Sequence, residues 1–258
     1  MKKFTSLLLL ILLCTSSALA WDNRGHSTVA YIAERHLTPR AKSNLERYIG
    51  NRSITYYASW MDYNRTDPPY DVTHDWHVDY WTNDMRTDAQ GNALPPVSTS
   101  NLKRIVEEMS DYRSLSDSLV NLHIKCIVHM VGDIHCPVHI NFADSRPMRV
   151  KEGKKTLKVH AMWDARVLGS KHDGTSPMQL STELDTYTVE QIAAIQKGSI
   201  DDWHNESVEY SKRAIEMIPQ NKQVSYESYF NSAIEIAENR ITVAGYRLAA
   251  ILNSIFDK

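Results

Sequence analysis

Cysteine is scarce in this chain: three residues in 258, one of which, Cys14, lies in the N-terminal stretch MKKFTSLLLLILLCTSSALA. The other two, Cys126 and Cys136, stand ten residues apart in one helical pattern. On a helix that spacing separates them by ~15 Å, far beyond disulfide reach. Disulfides are therefore excluded as the staples of the fold. Packing as small hydrophobes is the expected role of both thiols, with soft metal ligation as the alternative. An excess of positive charge is missing as well, because 29 lysines and arginines face 31 acids. That balance excludes a bulk polyanion binder of the basic-patch kind. Any handling of phosphates would need positive charge from something bound.

Long apolar runs are absent too. The run from Leu8 to Leu13 is too short to span a bilayer. With Lys2-Lys3 before it and Ala18-Leu19-Ala20 after it, residues 1–20 read as a secretory leader cleaved after Ala20. Leu13 ahead of Cys14 argues against lipoprotein processing, where small residues are expected. The mature chain would begin at Trp21, be secreted or periplasmic, and carry no membrane anchor. Loss of Lys2 and Lys3 moves its net charge from −2 to −4. No fixed-period repeat or low-complexity tract interrupts residues 21–258, which fit one compact domain.

What the chain does have is helical periodicity. Helices are expected from His26 to about His36, from the Thr38-Pro39 cap to Gly50, and over Ile54–Asp62. They resume at Asn101–Tyr112, Ser116–Cys136, His160–Leu168, Met178–Lys197, Ile200–Met217 and Tyr226–Phe256. The last is apolar over a wide arc and reads as a central core helix. Residues Tyr63 to Ser100 are polar and turn-rich, a long ordered loop pinned by Tyr70, Trp76, Tyr80 and Trp81. Met148–His160 alternates around Glu152-Gly153-Lys154, which predicts the only β-hairpin. The fold class is all-α: one compact multi-helix domain with one short β-hairpin.

One stretch, HMVGDIHCPVH from His129 to His139, concentrates chemistry. His129 and Asp133 are four apart and share a helix face. Pro137 cannot continue the helix, so the chain turns near Cys136 and can bring His139 back beside the helix end. Converging imidazole and carboxylate hold a borderline cation such as zinc. Alone, the stretch fits either a metal site or a helix with partly exposed polar residues. The same His/Asp spacing recurs at His160 and Asp164, in HAMWD, and Asp62, His77 and His26 lie on other short elements.

In order, the motifs are Trp21 with His26 five later, ASWMD (58–62), Trp76-His77, HMVGDIHCPVH, HAMWD, Trp203, Glu206-Ser207 and AGYRLAAILN (244–253). This ordered set resembles the zinc-dependent, single-strand-specific nucleases of the S1/P1 family, which share a fold with bacterial zinc phospholipase C. The resemblance implies three zinc ions. One would take Asp62, His77, His129 and Asp133. A second would take the α-amino group and carbonyl of Trp21, His26 and the same Asp133. The third would take His139, His160 and Asp164. It further implies phosphodiester hydrolysis of single-stranded DNA and RNA to 5′-phosphate products, with Asp62 and Arg65 as catalytic residues.

The chain departs from that family after His77, where Val78, Asp79 and Tyr80 replace the usual aromatic neighbour. These three are the expected substrate-binding residues, with Tyr80 supplying a stacking face from a shifted position. Cys136 stands where a glutamine is usual, and MRVKEGKKTLKV (148–159) replaces a glycine-asparagine segment. Two rivals compete with the nuclease. A phospholipase C-like lipid hydrolase usually has glutamate where this chain has Asp164, and a non-enzymatic zinc-binding protein predicts closed, thiolate-rich or His-rich sites. No stable protein partner is implied, and a monomer is expected.

An α-amino ligand exists only after cleavage, because the Ala20–Trp21 amide nitrogen is a poor donor while a free amine titrates near about 7.7–8.0. A protein with one extra residue before Trp21 should keep its helices, lose one zinc and be almost inactive. Zinc counts and single-strand cleavage, compared with exported protein, check this. Full activity in the extended form would make Trp21 an aromatic anchor only.

Overall fold

Helices begin where the sequence supplies caps in the computed structural model, which describes residues 21–80, 96–141 and 148–258. The expected leader, Trp81 and the side chain of Tyr80 lie outside the described residues. Asp22 accepts from the backbone N–H groups of Arg24 and Gly25 and opens α1 (Asn23–Arg35). Thr38 accepts from Ala41 N–H, and Pro39 at the first position starts α2 (Pro39–Ile49), which Gly50 ends at φ +67°. A 3₁₀ turn (Ile54–Tyr57), α3 (Trp60–Asn64) and a second 3₁₀ segment (Tyr70–His77) lead to β1 (Asp79–Tyr80). Then come α4 (Val97–Glu108), a 3₁₀ segment (Met109–Ser114) and α5 (Asp117–His135), capped by Ser116.

Pro137 stops α5 as expected, with Cys136 in extended backbone. A short 3₁₀ turn (Pro137–His139) and β2 (Ile140–Asn141) follow. β3 (Arg149–Glu152) and β4 (Lys155–Lys158) form the expected hairpin, turning at Gly153, whose φ is +58°. α6 (Val159–Ala161), a π-helical segment (Met162–Val167) and α7 (Leu168–His172) carry the HAMWD motif. α8 (Pro177–Leu184), α9 (Val189–Ile195), α10 (Ile200–Glu216), a π turn (Tyr226–Phe230) and α11 (Asn231–Phe256) complete the chain.

The fold is all-α, and α11 is its axis. It packs against α1, α2 and α5, while α1 also lies on α8, and α5 on α4. Eighteen of its residues, from Ala233 to Phe256, are buried, which accounts for the wide apolar arc. A polar cluster crosses this core beside α11. Glu206 of α10 pairs with the buried Arg240 and Arg247 of α11, and Arg247 donates to His135 Nε2 at 3.0 Å. Burial, then the two guanidinium charges, hold His135 well below the usual imidazole range. His135 thus ties the end of α5 to α11 as a neutral acceptor.

Two expected helix bounds need correction, and one strand pair is added. The stretch Met178–Lys197 is two helices, because Asp185 leaves helical geometry to accept from Arg35, His36 and Tyr246. Thr188 and Gln191 then form a capping box for α9. The hairpin is accompanied by a parallel pair, β1 on β2, with Asp79 opposite Ile140 and Tyr80 opposite Asn141. Finally, α4 starts at Val97 rather than Asn101, because the Asp79 carboxylate accepts from the N–H groups of Ser98 and Thr99 at 2.7 and 3.1 Å.

The close approach of α1 to α11 makes a test. A Cβ on Gly245 would sit 2.6 Å from Ile32 Cβ and Cγ2 and 3.1 Å from the Val29 carbonyl oxygen. Alanine gains about 1 kcal/mol in helix propensity, but overpacking costs about 1–3 kcal/mol. Gly245→Ala should therefore lower the denaturant midpoint, and a raised midpoint would show that α1 and α11 can part freely.

Candidate metal centre

Helix α5 supplies the middle of the site. Its turn spacing stacks His129 over Asp133, and both are fully buried. The Ala58 carbonyl receives a hydrogen bond from His129 Nδ1 at 2.8 Å. A carbonyl only accepts, so the proton is fixed on Nδ1 and Nε2 is turned toward Asp133. That Nε2 lies 3.1 Å from Asp133 Oδ2 and 3.0 Å from His77 Nδ1. Asp62, on α3, adds Oδ1 at 3.8 Å from His77 Nδ1 and 3.9 Å from His129 Nε2.

The other oxygen of Asp133 faces elsewhere. Oδ1 lies 3.4 Å from His26 Nε2 and 3.3 Å from His139 Nδ1. His26 comes from the first turns of α1, and its ring stacks on His129 at 4.0 Å. The glycine inside α5 makes that stacking possible, since a Cβ on Gly132 would meet His26 Nδ1 at 2.7 Å. Trp21 is fully buried beside this pair, its indole N–H donating to the Gly132 carbonyl at 3.1 Å. Asp22 N–H donates to the Asp164 carbonyl at 2.7 Å, so Trp21 and Asp22 lie between α5 and the HAMWD segment.

His139 completes the third side. Its Nδ1 donates to the His77 carbonyl at 2.9 Å, and its Nε2 lies 3.5 Å from Asp164 Oδ1. The ring of His160 stacks on His139 at 4.7 Å, with Nε2 3.3 Å from Asp164 Oδ2. His160 is the more open member, its side chain 22 % exposed. Three compact donor groups result among the described residues: His26, His129, Asp133; Asp62, His77, His129; and Cys136, His139, Asp164. Within each, one donor atom per residue lies within 4.8 Å of the others.

These residues fit cations. Donors at about 2.0–2.2 Å around a tetrahedral ion stand about 3.3–3.6 Å apart, and the distances above scatter around that edge. Buried polar atoms are normally hydrogen-bonded. Here both ring nitrogens of His26, both oxygens of Asp62 and Asp164, Asp133 Oδ1, His77 Nε2 and His139 Nε2 have no partner. Orphaned lone pairs converging in one buried volume are what bound cations satisfy.

The remaining expected residues are less concentrated. Arg65 ends α3, half-buried, one turn beyond Asp62. Val78 is half-buried behind His77. Asp79 is buried, and its carboxylate holds the start of α4 and takes the Thr99 hydroxyl at 2.6 Å, with His204 at 3.6 Å. The backbone of Tyr80 pairs with Asn141. Sequence reading missed Gly132, although a glycine inside an apolar helix between two ligand-type residues signals a close approach.

Burial lowers His129, but Asp133 and Asp62 outweigh it and raise its pKa to about 9 in the metal-free site. Burial raises Asp164 to about 7 against the opposing pull of the neighbouring His139 imidazole. At pH 7 the metal-free site thus holds a proton on His129 Nε2 that a cation must displace, and more so as pH falls. Loading zinc at neutral pH should release protons, and apparent affinity should rise with pH up to about 9. Calorimetry in buffers of different ionisation enthalpy measures this, and proton-neutral binding would contradict the charge assignment.

Comparisons with known proteins identify the family. The S1/P1 Nuclease family profile matches residues 21–257. Endonuclease 4 of Arabidopsis thaliana is 25% identical, over 93% of this chain and 91% of its own length. Nuclease P1 of Penicillium citrinum is 23% identical, over 91% of this chain and 97% of its own. Nuclease S1 of Aspergillus oryzae is 24% identical, over 91% of each. The family profile spans the whole described fold and every residue of the metal centre, so the chain belongs to the S1/P1 nuclease family and is a hydrolytic nuclease.

Proposed function

We propose that this nuclease is an exported, monomeric phosphodiesterase that cuts single-stranded DNA and RNA to 5′-phosphate and 3′-hydroxyl products, using three zinc ions. Removal of a terminal 3′-phosphate is the same chemistry at a chain end. Export with cleavage after Ala20 belongs to the same reading. Among the described residues no helix is long and apolar enough to cross a membrane.

One observation carries the proposal: the two oxygens of the buried Asp133 face different donor sets, Oδ2 toward His77 and His129, Oδ1 toward His26. A carboxylate so placed suits a bridge between two cations. Asp62, His77, His129 and Asp133 would hold one zinc. His26, Asp133 and the Trp21 terminus would hold a second, and His139, His160 and Asp164 a third. Bound there, zinc supplies Lewis acidity toward phosphoryl oxygens and lowers the pKa of water from 15.7 to about 7.

The chain's own groups do the rest. The Ala58 and His77 carbonyls orient His129 and His139 and fix which nitrogen faces the centre. Burial of the carboxylates keeps bulk water away and strengthens every charge interaction at the phosphate. Arg65 would offset charge growing on the phosphoryl oxygens. Tyr80 would stack a base with Val78 beside it, and stacking is worth about 1–3 kcal/mol per base. Asp79 is committed to α4, which leaves base contact to its two neighbours. A recessed centre favours a splayed strand over a stiff duplex.

The test is to incubate protein beginning at Trp21 with single-stranded DNA, RNA and a phosphatidylcholine, with and without chelator. Oligonucleotides with 5′-phosphates, formed only without chelator, are expected. Release of diacylglycerol with intact nucleic acid would replace the proposal with lipid hydrolysis.

A further inference from the structure

Cys136 is fully buried and sits one residue past the end of α5, its backbone N–H donating to the Asp133 carbonyl at 2.9 Å. Its sulfur, a nitrogen of His139 and a carboxylate oxygen of Asp164 lie within 4.8 Å of one another. Both oxygens of Asp164 and His139 Nε2 are buried without a hydrogen-bond partner. The other described cysteine, Cys126, is free, buried on the same helix and in none of the three donor groups. The thiol therefore lies among ligand-type atoms, three of which are unsatisfied, and no disulfide competes for it.

We propose that Cys136 is itself a ligand, as thiolate, of the ion held by His139 and Asp164. The proposal rests on the metal reading of the centre. On binding, the thiol proton passes to solvent and sulfur donates its lone pair, a step metals drive outright at neutral pH. The site then carries one more negative charge than its histidines and aspartate provide. Thiolate is soft, so the donor set prefers zinc, cobalt or cadmium to magnesium or manganese. The three groups thereby differ in kind: two offer only nitrogen and oxygen, and one adds sulfur. Of these residues His160 is the most exposed, and Cys136 is fully buried.

The experiment uses protein beginning at Trp21, stripped of metal and reloaded with cobalt(II). The wild type should show a thiolate-to-cobalt charge-transfer band in the near ultraviolet. Cys136→Ser should lose that band and Cys126→Ser should keep it. With zinc, Cys136→Ser should bind its third ion at least ~10-fold more weakly, the lower end for disturbing a metal site's support. Its other two ions should bind as in the wild type. Full cobalt loading of the wild type without the band overturns the thiolate assignment and leaves the metal centre standing. No cobalt uptake at all overturns both. The wild-type spectrum decides the matter even if the serine variant fails to fold.

Discussion

Three carboxylates and several imidazoles, buried with their lone pairs aimed at one another, form the constraint on which the rest of this structure depends. Asp62, Asp133 and Asp164 are 7 %, 0 % and 2 % exposed, and five of their six oxygens lack a hydrogen-bond partner. Like charges so close in a water-poor interior repel strongly, and protonated histidines offset them only in part. A cation would change the balance, because the orphaned oxygens and nitrogens could then serve as its ligands. The same groups that would unsettle a metal-free core then tie together α1, α3, α5 and the HAMWD segment.

The architecture follows from serving that constraint. α5 must approach α1 closely enough for His26 to stack on His129, which leaves room only for glycine at 132. α1 must approach α11 just as closely, which leaves room only for glycine at 245. The far end of α5 is anchored by His135 through Arg247 to Glu206, so the ligand face is fixed from behind. The parallel pairing of β1 with β2 does the same for His77, two residues before β1, and His139, immediately before β2. In physical terms, two long helices and several short elements carry the donor residues, and contacts outside the site hold those elements in place.

Much of this was legible in the sequence because it is local. Ser116, Thr38-Pro39 and Pro137 mark helix ends by their own chemistry, and the spacing of His129 to Asp133 and His160 to Asp164 places each pair on one face. What stayed hidden depends on distant partners. Asp79 looked available to substrate, yet it caps a helix that begins 18 residues later. Asp185 breaks a helix pattern because Arg35, His36 and Tyr246 reach it from other elements. The closeness of Cys136 to Asp164 is likewise a tertiary fact, since the two are 28 residues apart. Local patterns carry the ligands, and tertiary contacts decide which neighbours join them.

The central claim is that bound metal, more than apolar packing alone, holds the N-terminus, α3, α5 and the HAMWD segment in register. Donor residues drawn from several elements between His26 and Asp164 would make metal binding a folding term, stabilising the native state by mass action. The direct measurement is the melting temperature of the same preparation, zinc-loaded and after complete chelation, with metal counted in each. A fall of many degrees on chelation, restored by zinc and not by magnesium, is the predicted result. An unchanged melting temperature in protein shown to have lost its metal would contradict it.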